Sequence, residues 1–537
     1  MRRNRYADTD EIIQHDCQTF RAYGDEPWFE LEDDGGNKGR MRITAAGSLQ
    51  FQVDTGSGWV DAGIGGGSFS GPSSSTDNAI VRFDGTDGAT GQNSIPTIDD
   101  DGRIHATSLN IGRVANNTVT GTYASVTSGQ YNTAAGDYST AAGDENEANG
   151  DYSGTLSGED SVNDGPHSVI AGGSHNTIST GSYDAILGGW ANNINGTTGG
   201  NVVCGGLNND INGTRRNFMG GGYNNEISAQ EYNTLVGGST NEVSGTHSFI
   251  GGGGSNLASS NTGGVGWGNS NVCSGERAGV VCGTSNTASD KWTFIGGGTL
   301  NIASQDNAAI CGGRGNTSTD YGTFVGGGYD NDATNDHASI CGGELNVASG
   351  FWSHIGGGHS NTASGANACV PGGLSNTAAT AYSTAIGTEA VTRNKGELTQ
   401  SAGSFSTAGD SQVRRLHLRR QTTDATPTIL TDDNAADSAG SWNCAYKTLQ
   451  HYKVTVLGHR DNDTEFASFT MEGTVHREDG QPPESLWSSI ESWVQTSAAW
   501  DSYVSVGSGG IQLYVVGEAS KNINWSASVE LVESTVS

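Results

Sequence analysis

Tryptophan is the residue type in this chain whose spacing best suits ligand binding. Trp292 and Trp352 lie 60 residues apart, which is four periods of the repeat described below. They would therefore stand on one face of a repeating structure, about 19 Å apart if successive repeats stack at the ~4.8 Å spacing of β-strands. An exposed indole can stack on a sugar ring, and it can equally fill a seam between chains. The sequence leaves both roles open for this pair.

A second group of tryptophans lies near the C-terminus. Trp487, Trp493 and Trp500 fall in the segment ESLWSSIESWVQTSAAW, which lacks the regular alternation of a half-buried strand. Binding residues concentrate in loops held by a rigid scaffold. We treat these three residues as candidate receptor contacts, with packing in a core as the alternative.

The spacing of acidic residues, cysteines and glycines gives little indication of a catalytic or metal-binding site. A polysaccharide-cleaving site needs two carboxylates about 5–9.5 Å apart across a groove, but acidic residues are so common here that a pair indicates nothing. The eight cysteines are scattered without a CxxC pair, which argues against a zinc site or a disulfide scaffold. The Gly-rich segments recur periodically, unlike nucleotide-binding loops. We predict no catalytic residue, no metal and no cofactor.

The charge balance narrows the classes of partner. The chain has 26 basic and 58 acidic residues, for a net charge of −32. This balance argues against nucleic acid as a partner, because phosphate contacts need clustered Lys and Arg. No apolar run approaches the ~18 residues of a membrane span, and the basic N-terminus has no apolar segment behind it, unlike a secretory signal. We expect the protein to be synthesised in a cytoplasm and not to insert into a membrane.

Glycine and asparagine recur with a fixed period. Glycine supplies 84 of the 537 residues, roughly twice the ~7% share usual in proteins. In the nine most regular units, equivalent residues are 15 positions apart. One phase of the repeat is always asparagine: Asn256, Asn271, Asn286, Asn301, Asn316, Asn331, Asn346, Asn361 and Asn376. Three positions earlier stands glycine: Gly253, Gly268, Gly283, Gly298, Gly313, Gly328, Gly343, Gly358 and Gly373.

This pattern predicts a β-solenoid of thin coils. Residues alternate within each unit, as in strands, so two runs of about five residues joined at a glycine corner would form one coil. A glycine at the same phase in every unit fits a corner with positive φ. The asparagines would point inward and form a hydrogen-bonded ladder between stacked coils. Each coil pairs only with its neighbours, as in other solenoids.

Upstream the repeat is looser. There the asparagine phase falls at Asn132, Asn146, Asp160, Asn176, Asn192, Asn209 and Asn225, with spacings of 14 to 17 residues. In the regular units the strands are apolar on both faces, with Phe249, Phe294 and Phe324 seven positions before an asparagine. Strands that are apolar on both faces are usually buried on both. A single thin coil cannot bury both faces, so we expect several copies to pack side by side.

The repeat resembles the head repeats of trimeric autotransporter adhesins. The resemblance is carried by SFIGGGGSNLASS, TFIGGGTLNIASQ and SHIGGGHSNTASG and covers about half of the chain. It implies a left-handed parallel β-roll in a homotrimer; the handedness and the number three come from the resemblance. A bacterial adhesin head is accordingly one alternative function.

Two other segments resemble phage tail fibres. These are GPSSSTDNAIVRFDGTDGATGQNS at 71–94, followed by IDDDGRI, and LRRQTTDATPTILT at 418–431. They imply a tail fibre or tail spike of the virion that attaches to the host through a surface glycan or an outer-membrane receptor, with its N-terminal region on a tail or baseplate protein. A tail spike that depolymerises host polysaccharide is the other alternative.

Composition along the chain predicts four regions of an all-β protein. Residues 1–66 would be the attachment region, 67–120 a linker with short strands, and 121–395 the β-roll. The glycine content of the sequence falls after residue 395. Longer segments with alternating apolar and polar residues begin there, as in YKVTVLGHR at 452–460. We therefore predict a β-sandwich or jelly-roll tip at 396–537.

Overall fold

The computed structural model is a β-protein that divides into two compact units, Met1–Thr140 and Ala141–Ser537. It describes residues 116–535 except 229, 433–440, 443, 462–463 and 508–509. Before residue 116 it describes only short strands. The side chains of residues 491–493 also lie outside the description. Within the described part of the chain, no helix is long and apolar enough to span a membrane.

The first unit is built from short strands. In order, β1 to β13 are Glu11–His15, Gln18–Ala22, Phe29–Glu32, Lys38–Ile43, Leu49–Asp54, Trp59–Asp61, Ala79–Asp84, Thr90–Ile98, Ile104–His105, Ser108–Asn110, Thr118–Val119, Ala124–Gln130 and Thr133–Ala134. The sheets β1–β2, β3–β6 and β7–β9 are antiparallel. Parallel pairing begins with β10 on β12 and β11 on β13.

The repeat forms a parallel β-solenoid, and the chain has about 19 turns of it, which confirms the predicted all-β class and the solenoid of stacked coils. The turns of the second unit continue to Ala402. Their strands, β14 to β48, are Thr140–Asp144, Glu147–Ala148, Gly154–Thr155, Val162–Asn163, Val169–Ile170, Thr177–Ile178, Ala185–Ile186, Asn193–Ile194, Val202–Val203, Asp210–Ile211, Phe218–Met219, Glu226–Ile227, Thr234–Leu235, Glu242–Val243, Phe249–Ile250, Leu257–Ala258, Gly264–Val265, Val272–Cys273, Gly279–Val280, Thr287–Ala288, Phe294–Ile295, Ile302–Ala303, Ala309–Ile310, Thr317–Ser318, Phe324–Val325, Asp332–Ala333, Ser339–Ile340, Val347–Ala348, His354–Ile355, Thr362–Ala363, Cys369–Val370, Gly373–Leu374, Thr377–Ala378, Thr384–Thr388 and Leu398–Ala402.

Each regular turn places one two-residue strand in each of two parallel sheets. Sheet A contains strands such as β38, whose Val325 pairs with Ile340 of the next turn. Sheet B contains strands such as β39 and β41. The predicted runs of about five residues are wrong. Three residues of a turn, for example Gly328, Asp330 and His337, have positive φ, and such residues bend the chain out of the strand conformation.

The asparagine column lies inside the coils. All nine side chains of the regular units are at most 1% exposed. In a typical rung, Asn346 Nδ2 donates to Asn331 Oδ1 of the preceding turn at 2.9 Å, and its backbone N–H donates to the same oxygen at 3.1 Å. The same Nδ2 reaches the carbonyl oxygens of Gly342 at 3.1 Å and Gly358 at 2.9 Å. Each amide therefore bonds to the amide side chain of the preceding turn and to backbone carbonyls of its own turn and of the next.

The glycine column marks the corner where adjacent turns approach most closely. The nine glycines of the regular units have φ between 92° and 128°, a region that side-chain-bearing residues rarely adopt. A Cβ added at any of them would lie 1.9–2.1 Å from the carbonyl oxygen of the equivalent glycine in the next turn. Both the conformation and the spacing of the turns therefore require glycine at this phase.

One looser turn departs from the predicted phase. Asp160 is exposed with φ 49°, and the interior position belongs to Ser161, which is fully buried. Ser161 N–H donates to Asn146 Oδ1 at 3.0 Å, and Ser161 Oγ accepts from the N–H of Asn176 at 3.2 Å. A hydroxyl thus replaces the amide, and the ladder continues through it.

Residues 411–535 form two antiparallel sheets around one core. In order, β49 to β56 are Ser411–Thr422, Thr428–Ile429, Thr448–Arg460, Phe466–Arg477, Glu484–Gln495, Asp501–Gly507, Gly510–Val516 and Ile523–Thr535. One sheet has the order β49–β56–β51–β52–β53 and the other β50–β55–β54. Trp442, Trp500 and Trp525 are buried in the cluster to which both sheets contribute. A sandwich with jelly-roll topology stays a prediction.

The last solenoid strand, β48, pairs with β49 of this region, and a buried ionic cluster lies at the junction. Arg414 is fully buried and donates from Nε to Glu397 Oε1 and from Nη1 to Glu533 Oε1, each at 2.7 Å. Burial acts to lower the pKa of Arg414, but the hydrogen bonds and charges of both carboxylates raise it above its ordinary value. The cluster joins the solenoid end, through Glu397, to the last strand of the chain.

Candidate ligand-binding surfaces

One corner of the solenoid carries a row of residues, six to eight positions after the interior Asn or Ser. We call this row the corner column. Each of its residues has φ between 55° and 79°, and successive rungs are joined through the backbone, as where Trp352 N–H donates to Asp336 O at 3.0 Å. Its members in the second unit are Tyr152, His167, Tyr183, Gly200, Arg216, Tyr232, His247, Thr262, Arg277, Trp292, Asn307, Gly322, His337, Trp352, Asn367 and Tyr382.

Many rings of the corner column stack on one another. The ring centroids of Tyr152 and His167 are 4.8 Å apart, and those of His167 and Tyr183 are 5.0 Å apart, with interplanar angles of 6° and 9°. His337 and Trp352 stack at 4.2 Å. The rungs are a strand spacing apart, which is also a normal spacing for stacked rings. The solenoid therefore aligns its rings along its axis.

Cations extend the stack between rings. The guanidinium carbon of Arg277 lies 5.7 Å from the ring centroid of Trp292, and that of Arg216 lies 5.4 Å from the centroid of Tyr232. Both distances are within the range of cation–π attraction. The column consequently presents ring edges, phenol hydroxyls, imidazoles and guanidinium groups in one line.

Bulky residues are unusual at these backbone angles. The left-handed region costs a residue with a side chain about 1–2 kcal/mol, so glycine or asparagine would suit the corner better. A stacked ring pair returns about 0.5–1.5 kcal/mol. Residues held in disfavoured backbone conformations cluster at functional sites, and the exposed rings of this column therefore make it the first candidate for a binding surface.

The tryptophans named from the sequence have three different placements. Trp292 and Trp352 both belong to the corner column and are about half exposed. Trp487 is half exposed on β53, the edge strand of its sheet, while the side chain of Trp493 lies outside the described residues. Trp500 is 1% exposed and packs edge-on against Trp525 at 5.7 Å. Its ring belongs to the core and is closed to a receptor.

A second surface is the outer face of sheet A. The two outward columns that flank its buried Ile/Val column carry no Asp, Glu, Lys or Arg, although the chain as a whole has 84 such residues. Phe249 and Phe294 are about 40% exposed there. The first column is Gly154, Val169, Ala185, Val202, Phe218, Thr234, Phe249, Gly264, Gly279, Phe294, Ala309, Phe324, Ser339, His354 and Cys369. The second is Leu156, Ala171, Leu187, Cys204, Gly220, Val236, Gly251, Gly266, Val281, Gly296, Cys311, Gly326, Cys341, Gly356 and Pro371.

The outer face of sheet B differs in charge. Asp210, Glu226 and Glu242 occupy successive rungs of it. Burial raises the pKa of Asp210, and the charge of Glu226 adds to that rise. Like charges directly opposite each other on neighbouring strands repel, so this face is suited to water and the face of sheet A to a neighbouring apolar surface.

The corner column could have been recognised in part from the sequence. Tyr, His, Trp and Arg recur six residues after the asparagine, as in Arg277, Trp292, His337 and Trp352. The sequence does not predict a corner here, because the residue types vary and because ring-bearing residues seldom adopt left-handed angles. The backbone angles show that this row lies at a left-handed corner.

Comparison with known proteins gives only distant likenesses. No family model matches the sequence, and no curated protein matches it. The tailspike protein of Acinetobacter baumannii phage AM24 is 8% identical over 80% of this chain and 75% of its own, with a TM-score of 0.18. The tailspike protein gp49 of Acinetobacter baumannii bacteriophage Fri1, described as a capsular polysaccharide depolymerase, is 8% identical over 92% and 94%, with a TM-score of 0.21.

The tailspike protein of Acinetobacter phage vB_ApiP_P1 is 10% identical over 80% of this chain and 81% of its own, with a TM-score of 0.19. TM-scores this low carry no argument about the function of the chain. The surfaces described above, together with the resemblances in the sequence, are therefore the basis for a functional proposal.

Proposed function

We propose that this chain is a homotrimeric attachment protein of a phage tail, a fibre or spike that binds glycan on the host surface. The observation that carries the proposal is the corner column, which exposes aromatic rings and polar groups in a line along the solenoid. Aromatic rings with nearby hydrogen-bonding groups are suited to sugars, which have apolar ring faces and polar rims. The fibre-like segments at 71–94 and 418–431 support the virion assignment.

A repeating surface suits a repeating ligand. Successive rungs present similar groups at strand spacing, so an extended polysaccharide could contact many of them at once. Three copies in one particle would add avidity, because linked weak sites bind far more tightly than single ones. The N-terminal region would hold the protein on a tail or baseplate component, and the C-terminal region would offer Trp487 as a further contact.

The proposal is tested by measuring retention of the labelled full chain on bacterial strains and on their purified capsular and lipopolysaccharide fractions. We expect binding to at least one polysaccharide, weakened severalfold by Trp352→Ala. The matched control is Ile302→Ala, which removes an exposed apolar side chain from sheet B. Absence of binding to every strain and fraction would contradict the proposal.

The same incubations distinguish attachment from cleavage. Released oligosaccharides would be measured as new reducing ends in the supernatant. For an attachment protein we expect polysaccharide to be bound at unchanged length. Progressive shortening would replace this proposal with the depolymerase alternative.

A further inference from the structure

In the aromatic part of the corner column, one turn contributes no side chain. Tyr183 stacks on His167 through one ring face, and the next rung on its other side is Gly200, which has no side chain. Tyr183 is 67% exposed, against 39% for Tyr232 two rungs beyond the gap. The uncovered face of Tyr183 therefore borders open space above the backbone of Gly199 and Gly200.

The far side of this gap is held by Arg216. Its guanidinium group donates from Nη1 to the hydroxyl of Tyr232 and lies over the Tyr232 ring, while the aliphatic part of the side chain borders the space beside Gly200. Tyr183 and Arg216 are two rungs apart, about 9.6 Å at strand spacing. One ring placed midway would lie about 4.8 Å from each rung, which matches the stacking distance of 4.8–5.0 Å for Tyr152, His167 and Tyr183.

The space around position 200 does not require glycine, although its φ of 79° is left-handed. A Cβ built on Gly200 would come no closer than 3.6 Å to any neighbour, the Cγ of Arg216, whereas one on Gly199 would lie 1.6 Å from Ser182 O. Other rungs accept tyrosine at similar angles, with φ 65° for Tyr183 and 59° for Tyr232. At Gly322, the other glycine of the column, His337 Nδ1 lies 2.9 Å from a built Cβ. The space beside Gly200 is therefore open, whereas the space beside Gly322 is occupied by His337.

The charge at the rim indicates the ligand class. Arg215 is paired with Glu231, whereas no ion pair among the described residues includes Arg216. A guanidinium has five N–H donors, and its hydrogen bond to Tyr232 uses one of them. Guanidinium groups bind carboxylates through paired hydrogen bonds. A six-membered ring that carries a carboxylate would therefore match both the stacking face of Tyr183 and the cation beyond it.

We infer that the gap between Tyr183 and Arg216 is a binding slot for a carboxylated sugar residue, such as a uronic acid, within a host glycan. The sugar ring takes the place of the missing rung and stacks on Tyr183. Its carboxylate is hydrogen-bonded by Arg216. This inference rests on the proposed function, since it names the sugar class that one part of the corner column selects.

The test is calorimetric titration of the full chain with a tetrasaccharide that contains glucuronic acid and with a neutral glucose tetrasaccharide. We expect the wild type to prefer the acidic sugar by tenfold or more. Gly200→Tyr supplies the missing rung and should abolish binding, and Arg216→Gln should remove the preference between the two sugars. The matched control is Thr287→Tyr, which adds the same ring on the outer face of sheet B, away from the corner column, and should leave binding unchanged.

Thermal unfolding of each variant checks that the solenoid is intact. Equal binding by the wild type and Gly200→Tyr, or no acidic preference in the wild type, would overturn the slot. If the wild type binds neither tetrasaccharide but is retained on host cells, the slot is refuted and the attachment function stands. If it is retained on no cells either, both proposals fail.

Discussion

At the scale of single residues, one buried carboxylate, that of Asp184, makes the stability of the solenoid depend on pH. Asp184 is 1% exposed and lies in a second buried column, where the next three turns carry Asn201, Asn217 and Asn233. Its Oδ1 accepts from the N–H of Asn201 at 2.7 Å, while its Oδ2 has no hydrogen-bond partner among the described residues. Burial raises the pKa of Asp184 from 3.8 to about 6.

Replacing this carboxylate with an amide should stabilise the protein. Asp184→Asn would continue the amide column and remove a buried charge, so we expect the free energy of unfolding at pH 8 to rise by about 1–3 kcal/mol. Because the folded-state pKa is raised, the wild type gains stability as the pH falls through about 6 towards 3.8. The advantage of the variant should therefore shrink over that window.

Denaturant unfolding at pH 8 and pH 4 measures both effects. The matched control is Asn217→Asp, which places a carboxylate in the same column and should lower stability more at pH 8 than at pH 4. A wild type as stable as Asp184→Asn at pH 8 would show that the buried charge has no energetic consequence.

At the scale of the structural element, a turn is held to its neighbours by the amide ladder. Asn316 Oδ1 accepts from both the backbone N–H and the Nδ2 of Asn331, at 3.0 Å and 3.1 Å. Its own Nδ2 donates to Gly312 O and Gly328 O. Removing this one side chain therefore takes the partner away from the buried backbone N–H of Asn331 and from Gly312 O.

Truncation of the ladder should be partly rescued by serine. We expect Asn316→Ala to destabilise the protein by about 1–3 kcal/mol, the penalty for a buried donor without a partner. Asn316→Ser should lose less, because Ser161 fills the same position in a natural turn. Hydrogen exchange at the Asn331 amide reports the effect directly: it should accelerate most in the alanine variant, and equal rates in both variants would contradict the ladder account.

The junction of the solenoid with residues 411–535 should depend on Arg414. Arg414→Met would leave Glu397 buried without its cation and Glu533 paired with Arg393 alone, and breaking a buried ion pair in this way costs about 3–5 kcal/mol. The neighbouring Arg415 is an internal control, since its pair with Glu530 is half exposed and such pairs contribute about 0–1 kcal/mol. Thermal unfolding compares Arg414→Met with Arg415→Met, and equal losses would contradict the assignment.

The same cluster predicts a loss of stability in acid. Burial acts to raise the pKa of Glu533, but the charges of Arg414 and Arg393 dominate and lower it. Its contribution is therefore complete above the ordinary pKa of glutamate and is lost as the pH falls through the lowered value. The wild type should lose stability over that range more steeply than Glu533→Gln, and parallel pH profiles would contradict this.

The repeat makes the solenoid and its glycine corner predictable from the sequence, but not the second corner, which carries the corner column. A 15-residue period and a fixed glycine phase are enough to predict stacked coils, inward asparagines and a positive-φ corner. The two-residue strands were missed because residues such as Tyr183 and Trp352 rarely adopt left-handed angles. Arg414 could not be assigned because its burial depends on the pairing of β49 with β56, across more than a hundred positions, and Trp500 because its burial depends on packing against Trp525.

At the scale of the whole molecule, the uncharged outer face of sheet A needs an explanation that a single copy does not supply. Charged residues are common elsewhere in the chain, and exposed apolar surfaces of large extent usually mark interaction sites. A second copy of this chain is the partner whose rungs match in spacing at every turn. We therefore expect this face to lie between copies.

A charge placed on the uncharged face should prevent assembly. Ala309 pairs in register between Phe294 and Phe324, so Ala309→Glu would put a carboxylate between two exposed rings without entering the interior. We expect this variant to sediment as a smaller species with an unchanged fold by circular dichroism. Thr317→Glu on the outer face of sheet B is the matched control and should assemble normally.

The mass of the full chain in solution tests the central claim most directly. One copy has a mass of 55.3 kDa, and native mass spectrometry or sedimentation equilibrium distinguishes it from an assembly. The account predicts a particle of three copies at micromolar concentration, reduced to single chains by Ala309→Glu. A wild-type protein that stays a stable monomer would contradict it.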